Sequence, residues 1–176
     1  MWNKRNQLIA AAVAAVIAAW LLWPSRYARV ANLGSHGSSV IAFGDSLTAG
    51  YGAQPGQDYP SKLSSLIGTT VINAGVSGDT TESALARIDN DVLSRDPRMV
   101  ILGFRFPSLG ASYEKMYASV ASDERCLLIP DLLDGILSNP SLKSDEIHPN
   151  VRGYQLMAER VAGPCRKLIR KADAAR

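Results

Sequence analysis

The chain has 176 residues, 47% hydrophobic and 20% charged, which suits one globular domain with a modest core. Its net charge of +3 gathers late, at Arg166, Lys167, Arg170, Lys171 and Arg176, as the solvated face of a final helix does. No interleaved aromatics or nucleic-acid motif accompany those cations, which excludes nucleic acid as a partner. The two cysteines, Cys126 and Cys165, have a spacing that suits no metal site. In an oxidising compartment they can pair; otherwise they read as two small, partly buried residues.

Lys4 and Arg5 precede an uncharged, Ala-rich run from Leu8 to Trp23. Its length lies between a signal-peptide core and a full bilayer span. A cleavage site ending at Ala28 or Ala31 would put Arg26 or Arg29 where a small residue is needed. Trp2, Trp20 and Trp23 suit the membrane interface. Residues 1–26 therefore read as an uncleaved membrane anchor in preference to a removed signal. The domain is then exported to the periplasm or cell envelope and tethered to the inner membrane by residues 8–23. Residues 27–39 read as a linker, 40–170 as the folded domain and 171–176 as a basic tail.

The domain opens with Val40-Ile41-Ala42-Phe43, a short buried strand of the parallel type. It runs into Gly44-Asp45-Ser46, a turn that sets a small side chain at the strand's C-terminal edge, where open α/β sheets bind ligands. Backbone N–H groups at the following helix start can face a developing negative charge. Asp45 reads as the cap of that helix. Tyr59–Ile67 has helical spacing with Pro60 near its start, and Thr70–Ala74 reads as a second strand. Gly75-Val76-Ser77-Gly78 is a turn whose backbone can approach a ligand, and Asn73 reads as the residue that pins it. Asp79 with Glu82 resembles a capping box opening a helix with Leu85, Ile88 and Val92 on one face. Asp96-Pro97 stops that helix.

Met99-Val100-Ile101-Leu102 is a continuous apolar run, as a central parallel strand should be. After Gly103 the pattern changes to the alternating Phe104-Arg105-Phe106-Pro107. Ser112–Ala121 is predicted as a helix, Cys126–Ile129 as a last strand, 132–143 as a loop with helical pieces. Pro149–Arg170 is the closing helix, interrupted at Gly163-Pro164. Strand and helix alternate throughout, which predicts an α/β fold with a doubly wound, mostly parallel sheet.

Asp145-Glu146-Ile147-His148 places a carboxylate three residues before a histidine, a spacing that brings the two to one side of a turn. The only other histidine, His36, lies in the linker. If Ser46 has a general base, His148 is the candidate, with Asp145 as its orienting carboxylate. Asp131 is a rival that lacks the spacing. Tyr51 and Tyr59 read as acyl-pocket lining or as half-buried packing.

Gly44-Asp45-Ser46-Leu47, then Asn73-Ala74-Gly75-Val76-Ser77-Gly78-Asp79-Thr80, then Asp145-x-x-His148-Pro149, resemble the SGNH (GDSL) hydrolase family, its bacterial thioesterase, lysophospholipase and arylesterase branch. The resemblance covers roughly residues 40–169, with three of four sequence blocks in order. It implies a flavodoxin-like sheet of the SGNH type and a catalytic set of Ser46, Asp145 and His148. The oxyanion donors would be the N–H groups of Ser46 and Gly78. It implies no cofactor or metal, and a small-molecule or lipid acyl ester as substrate, hydrolysed through an acyl-serine. The family's Gly-x-Asn-Asp block, whose asparagine supplies a third oxyanion donor, has no counterpart. A strand–helix unit is expected to be missing at Gly103, which impairs turnover. The alternative is a non-catalytic acyl- or lipid-binding relic of the same fold. A flavodoxin-like cofactor binder ranks last, since no phosphate-cradling loop follows the first strand.

Overall fold

Alternation along one six-residue strand decides the layering. A computed structural model of the chain describes residues 30, 31, 33–102 and 111–175. In β1, Ser39–Gly44, Val40 and Ala42 point to one face and Ile41 and Phe43 to the other, and all four are buried. A strand buried on both faces needs helices on both sides.

The sheet has three parallel strands among the described residues, in the order β2-β1-β3, with β2 at Val71–Gly75 and β3 at Pro97–Leu102. A short α1, Ser46–Ala49, follows β1 directly. On the Val40 and Ala42 side lie α2, Tyr59–Ile67, and the long closing helix α5, Val151–Ala174. Their Tyr59, Leu63, Tyr154, Met157, Ala158 and Val161 form the main core there. On the Ile41 and Phe43 side, α3, Thr81–Asp91, brings Ala84 and Ile88 to a smaller cluster completed by Ala74 and Val92. The remaining helix is α4, Ala111–Asp123. The α/β, doubly wound, parallel architecture expected from the sequence is present in a short version.

Several local expectations are corrected. Met99–Leu102 is an edge strand of the described sheet rather than a central one, and Leu102 is 61% exposed. Its apolar run is suited to a neighbour on each side, and the described residues supply only β1. Cys126–Ile129 forms no strand among the described residues; Ile129 packs on the main core instead. Tyr59 is fully buried in that core, so it lines no pocket. The cap of α3 is Thr80, paired reciprocally with Ser83, because the Asp79 carboxylate is drawn to Arg87. Leu85 faces solvent. The closing helix runs through Gly163-Pro164 to Ala174, taking in residues read as the tail. Val161, Ala162 and Cys165 stay buried on the same stripe as Met157 and Ala158, which offsets the donor that proline lacks.

No helix among the described residues is long and apolar enough to cross a membrane. The anchor expected at residues 8–23 and the Phe104–Pro107 stretch lie outside the described residues.

Candidate active site

The site is built at the C-terminal edge of β1, and its first requirement is steric. α1 must begin immediately after the strand for Ser46 to stand at the edge. It packs so closely that a Cβ on Gly75 would lie 2.2 Å from the Ala49 backbone nitrogen. Asp45 caps α1, its Oδ1 accepting from the Leu47 N–H at 3.0 Å, which fixes the turn that carries the serine.

The second half arrives from 102 residues away. Asp145 Oδ1 accepts from the backbone N–H groups of Ile147 and His148 at 2.9 and 2.8 Å, so the turn folds around its own carboxylate. The same carboxylate meets His148 Nδ1, Oδ2 at 2.8 Å and Oδ1 at 3.0 Å. The Ile147 amide, followed by the His148 ring, holds the Asp145 carboxyl below the usual carboxylate range. A carboxylate only accepts, so Nδ1 carries the proton and Nε2 of the neutral ring is free to accept. His148 Nε2 stands 3.0 Å from Ser46 Oγ. Asn150 then starts α5 at once, its Oδ1 accepting from the Arg152 and Gly153 N–H groups, so the turn is braced by the longest helix among the described residues.

The structure thus brings together Ser46, His148 and Asp145. Gly78 sits on the turn after β2, at φ +81°, beyond the strand that pairs with β1. Asn73 accepts from the Gly75 N–H at 2.9 Å and so pins that turn. Asn139 and Asn150 likewise serve as local caps, so neither takes the place of the family's third donor.

Tyr51 meets the base, and two further residues, Tyr154 and Arg87, reach the site without a local sequence signal. Tyr51 stacks on His148, ring centroids 4.5 Å apart and tilted 41°. Tyr154 donates to the Tyr51 carbonyl at 2.8 Å, tying that loop to α5. Arg87 reaches the strand ends from α3. Its spacing to Asp91, four residues on, is visible in the sequence, but its reach to β1 is not.

Comparison with known proteins bears on the family and the fold. The GDSL-like Lipase/Acylhydrolase family matches residues 42–104. An esterase of the SGNH-hydrolase family, AlinE4, has a solved structure that superposes with a TM-score of 0.52 at 28% identity, over 75% of this chain and 96% of that one. The chain thus resembles the GDSL/SGNH hydrolase family. A G-D-S-L family lipolytic protein of Desulfitobacterium hafniense shares the fold at a TM-score of 0.60 and 19% identity, covering 72% of this chain and 98% of its own. Among curated proteins, an arylesterase of Vibrio mimicus is 25% identical over 171 aligned positions, covering 86% of its length. Those positions draw on only 70% of this chain's 176 residues, so the arylesterase carries residues with no counterpart here. The thioesterase 1/protease 1/lysophospholipase L1 of Escherichia coli K12 is 35% identical over 66 residues, 36% of this chain and 32% of its own. Both free thiols lie outside the Ser–His–Asp constellation: Cys126 is exposed and Cys165 buried.

Proposed function

We propose that the protein is a serine esterase or thioesterase that hydrolyses acyl esters through an acyl-serine intermediate. The observation that carries the reading is the continuous line from Ser46 Oγ to His148 Nε2 at 3.0 Å and from Nδ1 to Asp145 Oδ2 at 2.8 Å. The names of the arylesterase, the thioesterase and the SGNH esterase support the substrate class.

Ser46 Oγ attacks the acyl carbonyl as its proton passes to His148 Nε2. Asp145 stabilises the imidazolium and keeps the ring in place. The new bond is Oγ to carbonyl carbon; the bond to the alcohol or thiol breaks as His148 returns the proton to the leaving group. Water then repeats the sequence against the acyl-serine, with His148 again as base. The Ser46 and Gly78 N–H groups take the oxyanion. Lack of one donor costs about 10²–10³ in kcat, so a slow hydrolase is expected rather than an inert one. Residues 8–23 would tether it on the exported side of the inner membrane.

A fluorophosphonate probe tests the reading: it should label wild type and leave Ser46→Ala unlabelled. Folded wild-type protein that binds acyl chains but neither labels nor turns over a p-nitrophenyl ester would establish the binding relic instead.

A further inference from the structure

We infer that Arg87 is a positioning residue that sets the geometry of the oxyanion pocket by holding the C-terminal ends of β1 and β2 in one fixed relation. This rests on the hydrolytic reading where it names the Ser46 and Gly78 N–H groups as the donors. Arg87 reaches across from α3 and is 17% exposed. Its Nη2 donates to the Gly44 carbonyl at 3.0 Å and its Nη1 to the Ala74 carbonyl at 2.9 Å. Nε and Nη2 both donate to Asp79 Oδ2, at 2.8 and 2.6 Å, and Nη1 to Asp91 Oδ2 at 2.8 Å. A guanidinium has five N–H groups, and all five are engaged. The guanidinium carbon also lies 4.1 Å above the Phe43 ring.

The partners matter more than their number. Gly44 lies two residues before Ser46 and is in register with Gly75. Ala74 is the penultimate residue of β2, just before the turn that carries Gly78, and Asp79 closes that turn through its N–H to the Val76 carbonyl. One rigid plane therefore grips the serine strand and both ends of the donor turn. The Gly44 carbonyl is shared with the Val76 N–H at 3.0 Å, which ties the middle of the turn to the same atom. Charge-assisted bonds to a planar fork resist bending as well as stretching. Gly78 has a positive φ, is exposed, and has no atom within 4 Å of where a Cβ would stand. Its placement is transmitted from Arg87.

The test compares wild type with Arg87→Lys, which keeps the charge but has three donors on one atom, and Arg87→Gln. Turnover is scored per phosphonate-titratable site. The expected result is a fall in kcat of about 10–100-fold at near-constant KM, as for a donor displaced by around 1 Å. The rate ratio of an oxoester over its thionoester should fall with it, because only the oxygen substrate exploits the pocket. Unchanged kcat and ratio at a lowered melting temperature would make Arg87 a stabilising tie alone and overturn the role. Amide exchange supplies an arm independent of turnover: the Val76 N–H should exchange at least about tenfold faster in Arg87→Lys, relative to the Tyr154 N–H of α5. Equal exchange overturns the proposal. So does failure of both variants to fold, since the role would then be structural. Wild type that never labels or turns over refutes the hydrolase reading, and the exchange arm still decides what Arg87 holds.

Discussion

Asp145→Asn separates orientation from architecture in one substitution. Asp145 does two jobs: it holds the turn, Oδ1 accepting from the Ile147 and His148 amides, and it holds the ring, with Oδ2 2.8 Å and Oδ1 3.0 Å from His148 Nδ1. Asparagine can keep the first, because its single carbonyl oxygen fits where Oδ1 sits. It reverses the second. The amide NH₂ then faces Nδ1 and donates to it, so the ring proton moves to Nε2. Nε2–H now points at Ser46 Oγ across 3.0 Å and cannot accept the serine proton. The turn survives and the base is lost. The expected fall in kcat is about 10⁴-fold, the scale at which a wrong histidine tautomer disables a serine triad. The assay is hydrolysis of a p-nitrophenyl ester, read beside thermal unfolding followed by circular dichroism. Asp145→Ala should lose activity to a similar degree and also loosen the turn, lowering the melting temperature further than Asp145→Asn does. An Asn variant that keeps more than a tenth of wild-type kcat would refute the assignment of Asp145 as the orienting group.

Gly75→Ala should destabilise by about 1–3 kcal/mol, because its Cβ would meet the Ala49 backbone at 2.2 Å and only movement of α1 relieves the clash; a melting temperature equal to wild type would contradict that packing. Cys126 is exposed, whereas burial pushes the Cys165 thiol up to about 11, so a maleimide at neutral pH should modify one thiol in the folded protein and two in denaturant. Two fast-reacting thiols would show that α5 opens at Cys165. The Ser83 hydroxyl, together with Arg87, holds the Asp79 carboxyl below its ordinary value. Its folded pKa being depressed, its contribution to stability is present above the usual carboxylate range and disappears as pH falls through the lower folded value. Melting temperature in acid should therefore fall less steeply for Asp79→Asn than for wild type, and parallel profiles would count against the Arg87–Asp79 pairing.

The sequence by itself determined the strand that carries the serine, the bounds of α2 at Tyr59–Ile67, and the Asp145–His148 turn, because each depends on neighbours within a few residues. A run of four apolar residues, a proline in a first turn and a three-residue spacing are local facts, and local chemistry enforces them. Tertiary structure decided the rest. Whether Met99–Leu102 is central or at the edge depends on which strands are there to pair, and its own composition cannot say. Asp79 was free to cap a helix until Arg87 claimed its carboxylate, leaving the cap to Thr80. Pro164 stays inside a helix because the buried stripe around it outweighs one missing donor. Parallel pairing and the docking of α5 bring Ser46 and His148, 102 positions apart, to 3.0 Å. Long-range contact of that kind is a property of the packed core, since only burial of both faces of β1 fixes where its end and the end of the chain must meet.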